Sequence, residues 1–270
     1  MSRKHPWRRH AGHLAIPTVL LAGAVVLGEL AIWALVLGGH LSLVAGGLLA
    51  TLVAYVAFTP MHDASHGAVG GSPRRSWLDA LVGHAMGLPL LAPYAVFRTI
   101  HLRHHGATNH PERDPDYWVH GKTAVETAAR CATIAGHYYW VAFRELARPR
   151  SAMRRAAVPA LTGLAVQLLL LAGLVWAGLG AEAIALWVLP GVVASGMLAF
   201  LFDWLPHHPH SVRGRGVDTR LILLPGVAVP MLNQHLHLVH HLYPRVPFYR
   251  YGDLFQEIRD EVADAPVLEL

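Results

Sequence analysis

Leu41 to His66 reads LSLVAGGLLATLVAYVAFTPMHDASH: an uncharged apolar run that ends at Pro60, then His62, Asp63 and His66 in quick succession. About 20 residues of helix rise roughly 30 Å, the thickness of a bilayer's hydrocarbon core. The stretch therefore predicts a membrane span that carries His62 and His66 out to the membrane surface. Spaced i and i+4, the two imidazoles share one helical face.

Three further runs have the same character: Leu14–Gly38, Ala157–Leu179 and Ala183–Leu205. None of the four contains a Lys or Arg. Gly39 and His40 alone separate the first two, and Gly180 to Glu182 separate the last two, which predicts two helical hairpins. The first run follows Arg3, Lys4, Arg8 and Arg9, the flank of a signal peptide. Its apolar part exceeds the roughly 7–15 residues of a signal sequence, and a second span follows at once, so it reads as a span. All 22 Lys and Arg residues lie before Leu14, between Met61 and Ala156, or after Leu205. Two hairpins put those regions on one side, and the positive-inside rule makes that side the cytoplasm. The expected setting is a bacterial inner membrane with both termini and all the histidine clusters inside.

Composition agrees. Only 14% of residues are charged, against about 25% in soluble domains. The net charge of +5 is accounted for by topology and attraction to anionic lipid. No basic face interleaved with aromatics argues for nucleic acid. A single cysteine, Cys131, excludes an intrachain disulfide and a four-thiolate metal site. Trp77–Phe97 and Leu221–Leu232 are apolar but broken by Gly and Pro, and read as interfacial or re-entrant segments. With no long repeat or linker, residues 1–270 read as one domain.

Two more clusters accompany the first. HLRHH occupies His101 to His105 and HLVHH His237 to His241, each with imidazoles at i, i+3 and i+4. Each cluster is expected to aim at a single point. The last span ends FLFDWLPHHPH, residues 200–210. His207 should emerge level with His62, with Asp203 beside it, while Pro206 and Pro209 scatter His208 and His210 onto the surface. A lone histidine is usually a core or surface residue; three clusters on one side of a membrane are not readily explained that way. The candidate ligands are His62, His66, His101, His104, His105, His207, His237, His240 and His241, too many for one ion and suited to two. Neutral imidazole binds iron, copper, zinc and nickel. No His precedes a Glu, as in zinc hydrolases, and no Glu-x-x-His occurs, as in soluble di-iron proteins. Asp63, Asp203, Asp114 and Asp116 are candidates to hold imidazole N–H groups; Asp114 and Asp116 equally suit a turn. Glu29, mid-span, is either functional or protonated with a local hydrogen bond.

HDASH, HLRHH and HLVHH resemble the three histidine boxes of the membrane fatty acid desaturase and hydroxylase superfamily. The nearer likeness is to desaturase-like β-carotene hydroxylases of the cyanobacterial type. It rests on FRTIHLRHHGATNHPERDPDYW, FDWLPHHPH and NQHLHLVHHLYPRVPFYRY, and covers roughly Met61 to Tyr251. The resemblance implies an all-α integral membrane protein whose cytoplasmic helical cap carries a di-metal site. It implies two non-heme irons held by the nine histidines, with O2 as co-substrate. The implied reaction is 3-hydroxylation of a carotenoid ring, giving zeaxanthin-type products. An acyl-lipid desaturase or a carotenoid ketolase of the same superfamily is the alternative. A non-enzymatic metal-binding membrane protein would need polar residues in several spans, and Glu29 stands alone. Substrate would enter from the bilayer along a groove for which Phe58, Tyr94, Phe97, Phe200 and Trp204 are candidates; aromatics there also suit an interfacial belt. Electrons would come from a ferredoxin or similar donor, docking on Arg74, Arg75, Arg103, Arg144 or Arg148. Asn233 and Gln234 match a polar pair before the third box. His235 departs from the pattern, and His84 has a family counterpart for which a structural role is expected.

Overall fold

The computed structural model describes residues 6–269; Arg3 and Lys4 lie outside the described residues. Four helices are long and apolar enough to cross a membrane: α1 (Ile16–Leu37), α2 (Leu43–Ser65), α8 (Ala157–Trp176) and α9 (Gly180–Trp204). Their outward residues are apolar, among them Leu20, Leu27, Leu48 and Leu169, each about two-thirds exposed or more. Such surfaces are stable in lipid and a liability in water. Between α2 and α8 lie α3 (Ser76–Gly87), α4 (Tyr94–Ala107), α5 (Ala124–Ala132), α6 (Ile134–Leu146) and the single turn α7 (Ala152–Arg155). After α9 come β1 (Leu221–Ile222), α10 (His237–Leu242), α11 (Tyr251–Ile258) and β2 (Val267–Leu268).

Helix α2 is the axis of the molecule. Ser42 caps it, its hydroxyl accepting from Ala45 N. It runs past the expected end at Pro60 to Ser65, so the first histidine box is helical. Small residues let neighbours close on it. A Cβ added to Gly46 would stand 2.6 Å from Val36 of α1 and 2.9 Å from Leu186 of α9; one on Gly47 would meet Ala185 O at 2.8 Å. In lipid, where apolar burial gives helices no net drive to associate, such close approach is what holds them. At the other end of α1, the Thr18 hydroxyl donates to Asp63 at 2.9 Å. The early residues of α1 thus meet the late residues of α2, and the two run antiparallel.

The second pair departs from the expected hairpin. Residues 88–93, which join α3 to α4, wedge between α8 and α9. A Cβ on Gly163 of α8 would meet Pro93 at 3.1 Å, and one on Gly191 of α9 would meet Pro89 O at 2.7 Å. Helix α9 packs on α2 instead, and α8 on α4. The wedge is the middle of the apolar stretch expected to be re-entrant. Three carbonyls in or next to it accept from side chains of the surrounding helices, and those of Gly87 and Leu88 also accept from the backbone of Ala92 and Leu91. Gln167 donates to Gly87 O at 3.1 Å, Trp187 to Leu88 O at 2.6 Å and Tyr139 to Leu91 O at 2.6 Å. Irregular backbone among membrane helices is tolerated only when so paired.

Leu221–Leu232 is irregular, and its Pro230 carbonyl accepts from Tyr55 of α2 at 2.8 Å. It opens as β1, pairs in parallel with β2 of the C-terminal tail, and continues as turns. The acidic tail, featureless in sequence, is equally built in: Tyr251, Leu254 and Ile258 of α11 are fully buried beneath α10.

Gln167→Leu should remove one of the two bonds to the Gly87 carbonyl, which keeps that from Ala92 N, and cost about 0.5–1.5 kcal/mol, read as thermal unfolding in detergent. Leu169→Ala, on a lipid-facing position of the same helix, should stay within about 0.5 kcal/mol of the parent.

Candidate metal centre

The nine imidazoles converge from α2, α4, α10 and the chain just past α9, and sort into two groups. His62, His66, His101, His105 and His240 form one; His104, His207, His237 and His241 form the other. Within each group one ligand atom per residue lies within 4.8 Å of all the rest. Ring nitrogens stand 2.8 Å apart in His66–His101, 2.9 Å in His105–His240, 3.1 Å in His207–His237 and 3.2 Å in His237–His241. Ligands about 2.1 Å from a shared ion stand about 3.0 Å apart at right angles and about 3.4 Å apart in a tetrahedron. The spacings fit that geometry. The buried Nε2 of His62 has no hydrogen-bond partner and belongs to the first group. The donor set therefore fits two cations of the imidazole-binding kind.

Each H-x-x-H-H box serves both groups, which corrects the expectation of one target per box. In the first, His101 and His105 join one group and His104 the other; in the last, His237 and His241 stay together and His240 crosses over. Helix geometry explains the split. Positions i and i+4 are about 40° apart around the axis, while i+3 lies about 60° to the other side of i. Two centres side by side use both directions.

The distal ring nitrogens find their own partners. His104 Nδ1 donates to Asp114 at 2.9 Å and lies 3.3 Å from Asp116. Asp114 is fixed by the amides of Asn109 and Asp116, and Asn109 in turn donates to Val212 O and Asp218 O. His207 Nδ1 donates to Asp218 O at 3.1 Å, and His240 Nδ1 meets the buried Tyr251 hydroxyl at 2.9 Å. His62 Nδ1 faces the Gln234 amide nitrogen at 3.5 Å while the Gln234 oxygen is buried without a partner. Exchanging the amide's two ends, which are nearly indistinguishable in shape, pairs both groups.

Electrostatics favours ligation. Burial holds His66, His101, His105, His207, His237, His240 and His241 well below the usual imidazole range, so they are neutral with a free lone pair. His104 differs. Burial opposes its charge too, but Asp114 and Asp116 overcome that and raise it to about 10. Its Nδ1 proton is held on Asp114, and a metal at Nε2 would have to displace that nitrogen's proton.

Several expected roles are redistributed. Asp63 touches no imidazole; it accepts from Thr18 and from Phe248 N, tying α1, α2 and the C-terminal segment together. Asp203 does not hold His207: the π-helical winding of residues 199–204 turns it toward Tyr138, whose hydroxyl bridges Asp116 at 2.6 Å and Asp203 at 3.3 Å. Asn233 supplies a left-handed turn at φ 60° rather than a bond to a ring, and Gln234 faces His62 instead. His84 and His235 lie in neither group; His84 is exposed, edge-on to Tyr94. His208 is exposed as expected, but His210 is buried, because a tight turn from His210 N to His207 O brings it back under Tyr117 and His120. Tyr251, Tyr138 and Asn109 carried no local signal; each matters through contacts distant in sequence.

An apolar cavity opens onto the centre between α2, α4, α6 and α9. Phe58, Met61, Phe97, Leu198 and Phe202 wall it, and His62, His101, His104 and His237 close its end. Of the aromatics expected in a groove, Phe58 and Phe97 line it; Phe200 is exposed and stacks on Trp204.

A protein-family profile described as fatty acid desaturase matches residues 38–269. A delta(12) fatty acid desaturase of Caenorhabditis elegans is 32% identical over 95 residues, 33% of this chain and 24% of that protein. An sn-1 oleoyl-lipid 12-desaturase of Picosynechococcus is 30% identical over 88 residues, 30% of this chain and 24% of its own length. An sn-2 acyl-lipid omega-3 desaturase (ferredoxin) of Arabidopsis thaliana is 30% identical over 117 residues, 42% and 23% respectively. The chain thus spans about a quarter of the length of these relatives.

Purified full-length chain should bind two ions per molecule, counted by elemental analysis. His207→Ala should reduce the count to about one. Tyr251→Phe should keep both groups but weaken affinity about 10–100-fold in a competition titration.

Proposed function

Because the chain belongs to the fatty acid desaturase family, we propose that it is a membrane oxidoreductase that uses O2 and two irons to oxidise an unactivated C–H bond of a lipid-soluble substrate. The observation that carries this reading is the apolar cavity ending on His62, His101, His104 and His237, members of both imidazole groups. The names of the relatives support desaturation of an acyl lipid. They lend no specific support to the carotenoid ring hydroxylation expected from the resemblance, which stays as the second reading on the strength of residues 97–118, 202–210 and 233–251.

When bound, the irons would supply O2 activation and hydrogen abstraction. Desaturation consumes one O2, two electrons and two protons, and removes two hydrogens from substrate to give two waters. Hydroxylation consumes the same and leaves one oxygen on carbon and one in water. The chain's own task is positional. The nine histidines hold the metals; Asp114, Tyr251, Gln234 and the Asp218 carbonyl fix ring orientation. The phenyl walls strip water from the substrate and set which carbon lies nearest the centre. The buried Tyr138 hydroxyl, kept protonated by its surroundings, donates to Asp116 and so steadies the carboxylates behind His104.

The proposed location is the cytoplasmic side of a bacterial inner membrane, supported by the basic residues that flank the histidine-bearing ends of the spans. The proposed electron donor is a ferredoxin, supported by the name of the Arabidopsis relative.

The test is product analysis of iron-loaded protein reconstituted with reduced ferredoxin, O2, acyl lipids and β-carotene. A new acyl double bond supports the first reading and a 3-hydroxylated ring the second; neither product from loaded protein would overturn both. Leu198→Trp, which fills the cavity, should lower turnover at least tenfold with iron content unchanged.

A further inference from the structure

The nine imidazoles differ in access. Six are buried: His62, His101, His104, His207, His237 and His240. Three are half-buried: His66, His105 and His241. Those three are neighbours. The rings of His66 and His105 are 4.7 Å apart and those of His105 and His241 4.3 Å apart, stacked at 27°. The strip they form belongs to both groups, since His66 and His105 sit in one and His241 in the other. None of the three lines the apolar cavity, which reaches the centre through His62, His101, His104 and His237. The centre therefore has an apolar face and a separate face at the protein surface.

A cation marks each end of the strip. Arg98 donates to the carbonyl of Ser65, the residue before His66, at 3.1 Å. Arg215 donates to the carbonyl of Leu242, the residue after His241, at 3.3 Å. Both are exposed. The ion pairs between arginine and carboxylate among the described residues use Arg9, Arg103, Arg130, Arg148 and Arg250, so neither Arg98 nor Arg215 forms one, although Asp79 lies within electrostatic reach of Arg98. By contrast Arg103 and Arg148, expected in a docking face, share Glu145.

We propose that the His66–His105–His241 strip, flanked by Arg98 and Arg215, is the docking face for a small acidic protein carrying a one-electron redox centre. This rests on the metal reading above. At this face one imidazole ring separates the surface from either ion. Each docking oxidises the carrier by one electron and reduces one trivalent ion to divalent, with no proton or ligand transferred; two dockings supply one turnover. Two guanidinium groups without a direct ion pair attract and orient an acidic partner, while the stacked rings admit electrons to either group without opening the apolar face to water.

The test measures binding rather than turnover, so it is independent of which product is made and of metal loading. An acidic [2Fe–2S] ferredoxin is titrated against the full chain in nanodiscs at low ionic strength. The double variant Arg98→Glu/Arg215→Glu should raise Kd at least tenfold and flatten its dependence on salt. Arg98→Lys/Arg215→Lys, which keeps both charges, should stay within about threefold of the parent, and Arg148→Glu should change little. An unchanged Kd in the double Glu variant would overturn the proposal. So would equal weakening by the Lys pair or by Arg148→Glu.

Discussion

Nine imidazoles with ring nitrogens turned inward repel one another unless a cation stands among them. Holding them so close therefore demands a scaffold that leaves no ring room to turn away. Much of the architecture meets that demand. The chain brings the rings from four separate segments, and the outer nitrogen of His104, His207, His240 and His62 faces a buried partner. Those partners are anchored in turn, Asp114 by two amides and Asn109 by two carbonyls across more than a hundred residues of chain. A ring fixed at one nitrogen has one direction left for the other.

The membrane sets a second constraint. On the proposed reading a lipid-soluble substrate would have to reach the imidazole cluster, and the apolar cavity leads to it between α2, α4, α6 and α9. The wedge of residues 88–93 makes room for it by parting α8 from α9. Gln167, Trp187 and Tyr139 reach into that departure from regular helix and donate to the carbonyls of Gly87, Leu88 and Leu91, the last of which has no backbone donor. Pro93 and Leu91 of the wedge then become cavity walls.

Spans and histidine clusters were legible because their signals are local. A charge-free run of about 20 residues and an i, i+3, i+4 histidine pattern each declare themselves within one segment. All nine candidate histidines fall into the two groups. What the sequence hid is whatever depends on distant chain. Tyr251 lies eleven positions from His240 and looks like part of an acidic tail. Asp114 reads as well for a turn as for a ring partner, and in fact does both, accepting from Asp116 N and from His104. Asp203 misled because a regular helix would set it beside His207, while the π-helical turn rotates it toward Tyr138. The second hairpin was misread for the same reason: a short connection between spans says nothing about a third segment inserted between them.

The crossing of the boxes has a consequence for how the two groups relate. Had each box fed one group, either group could tilt with its helix without disturbing the other. Instead α4 and α10 each contribute to both, so any rotation that improves one group's geometry worsens the other's. The separation of the two groups is therefore fixed by the about 100° between i+3 and i+4 on two helices at once, not by any bridging side chain. In soluble di-iron folds bridging carboxylates do that work; here the carboxylates stand one layer back, behind the rings. A histidine-only inner layer would leave bound cations their full charge, and Asp114 and Asp116, both beside His104, would offset it from a distance. The group served by His104 thus sits in a more negative field than its neighbour, and two groups built from the same side chain are not equivalent.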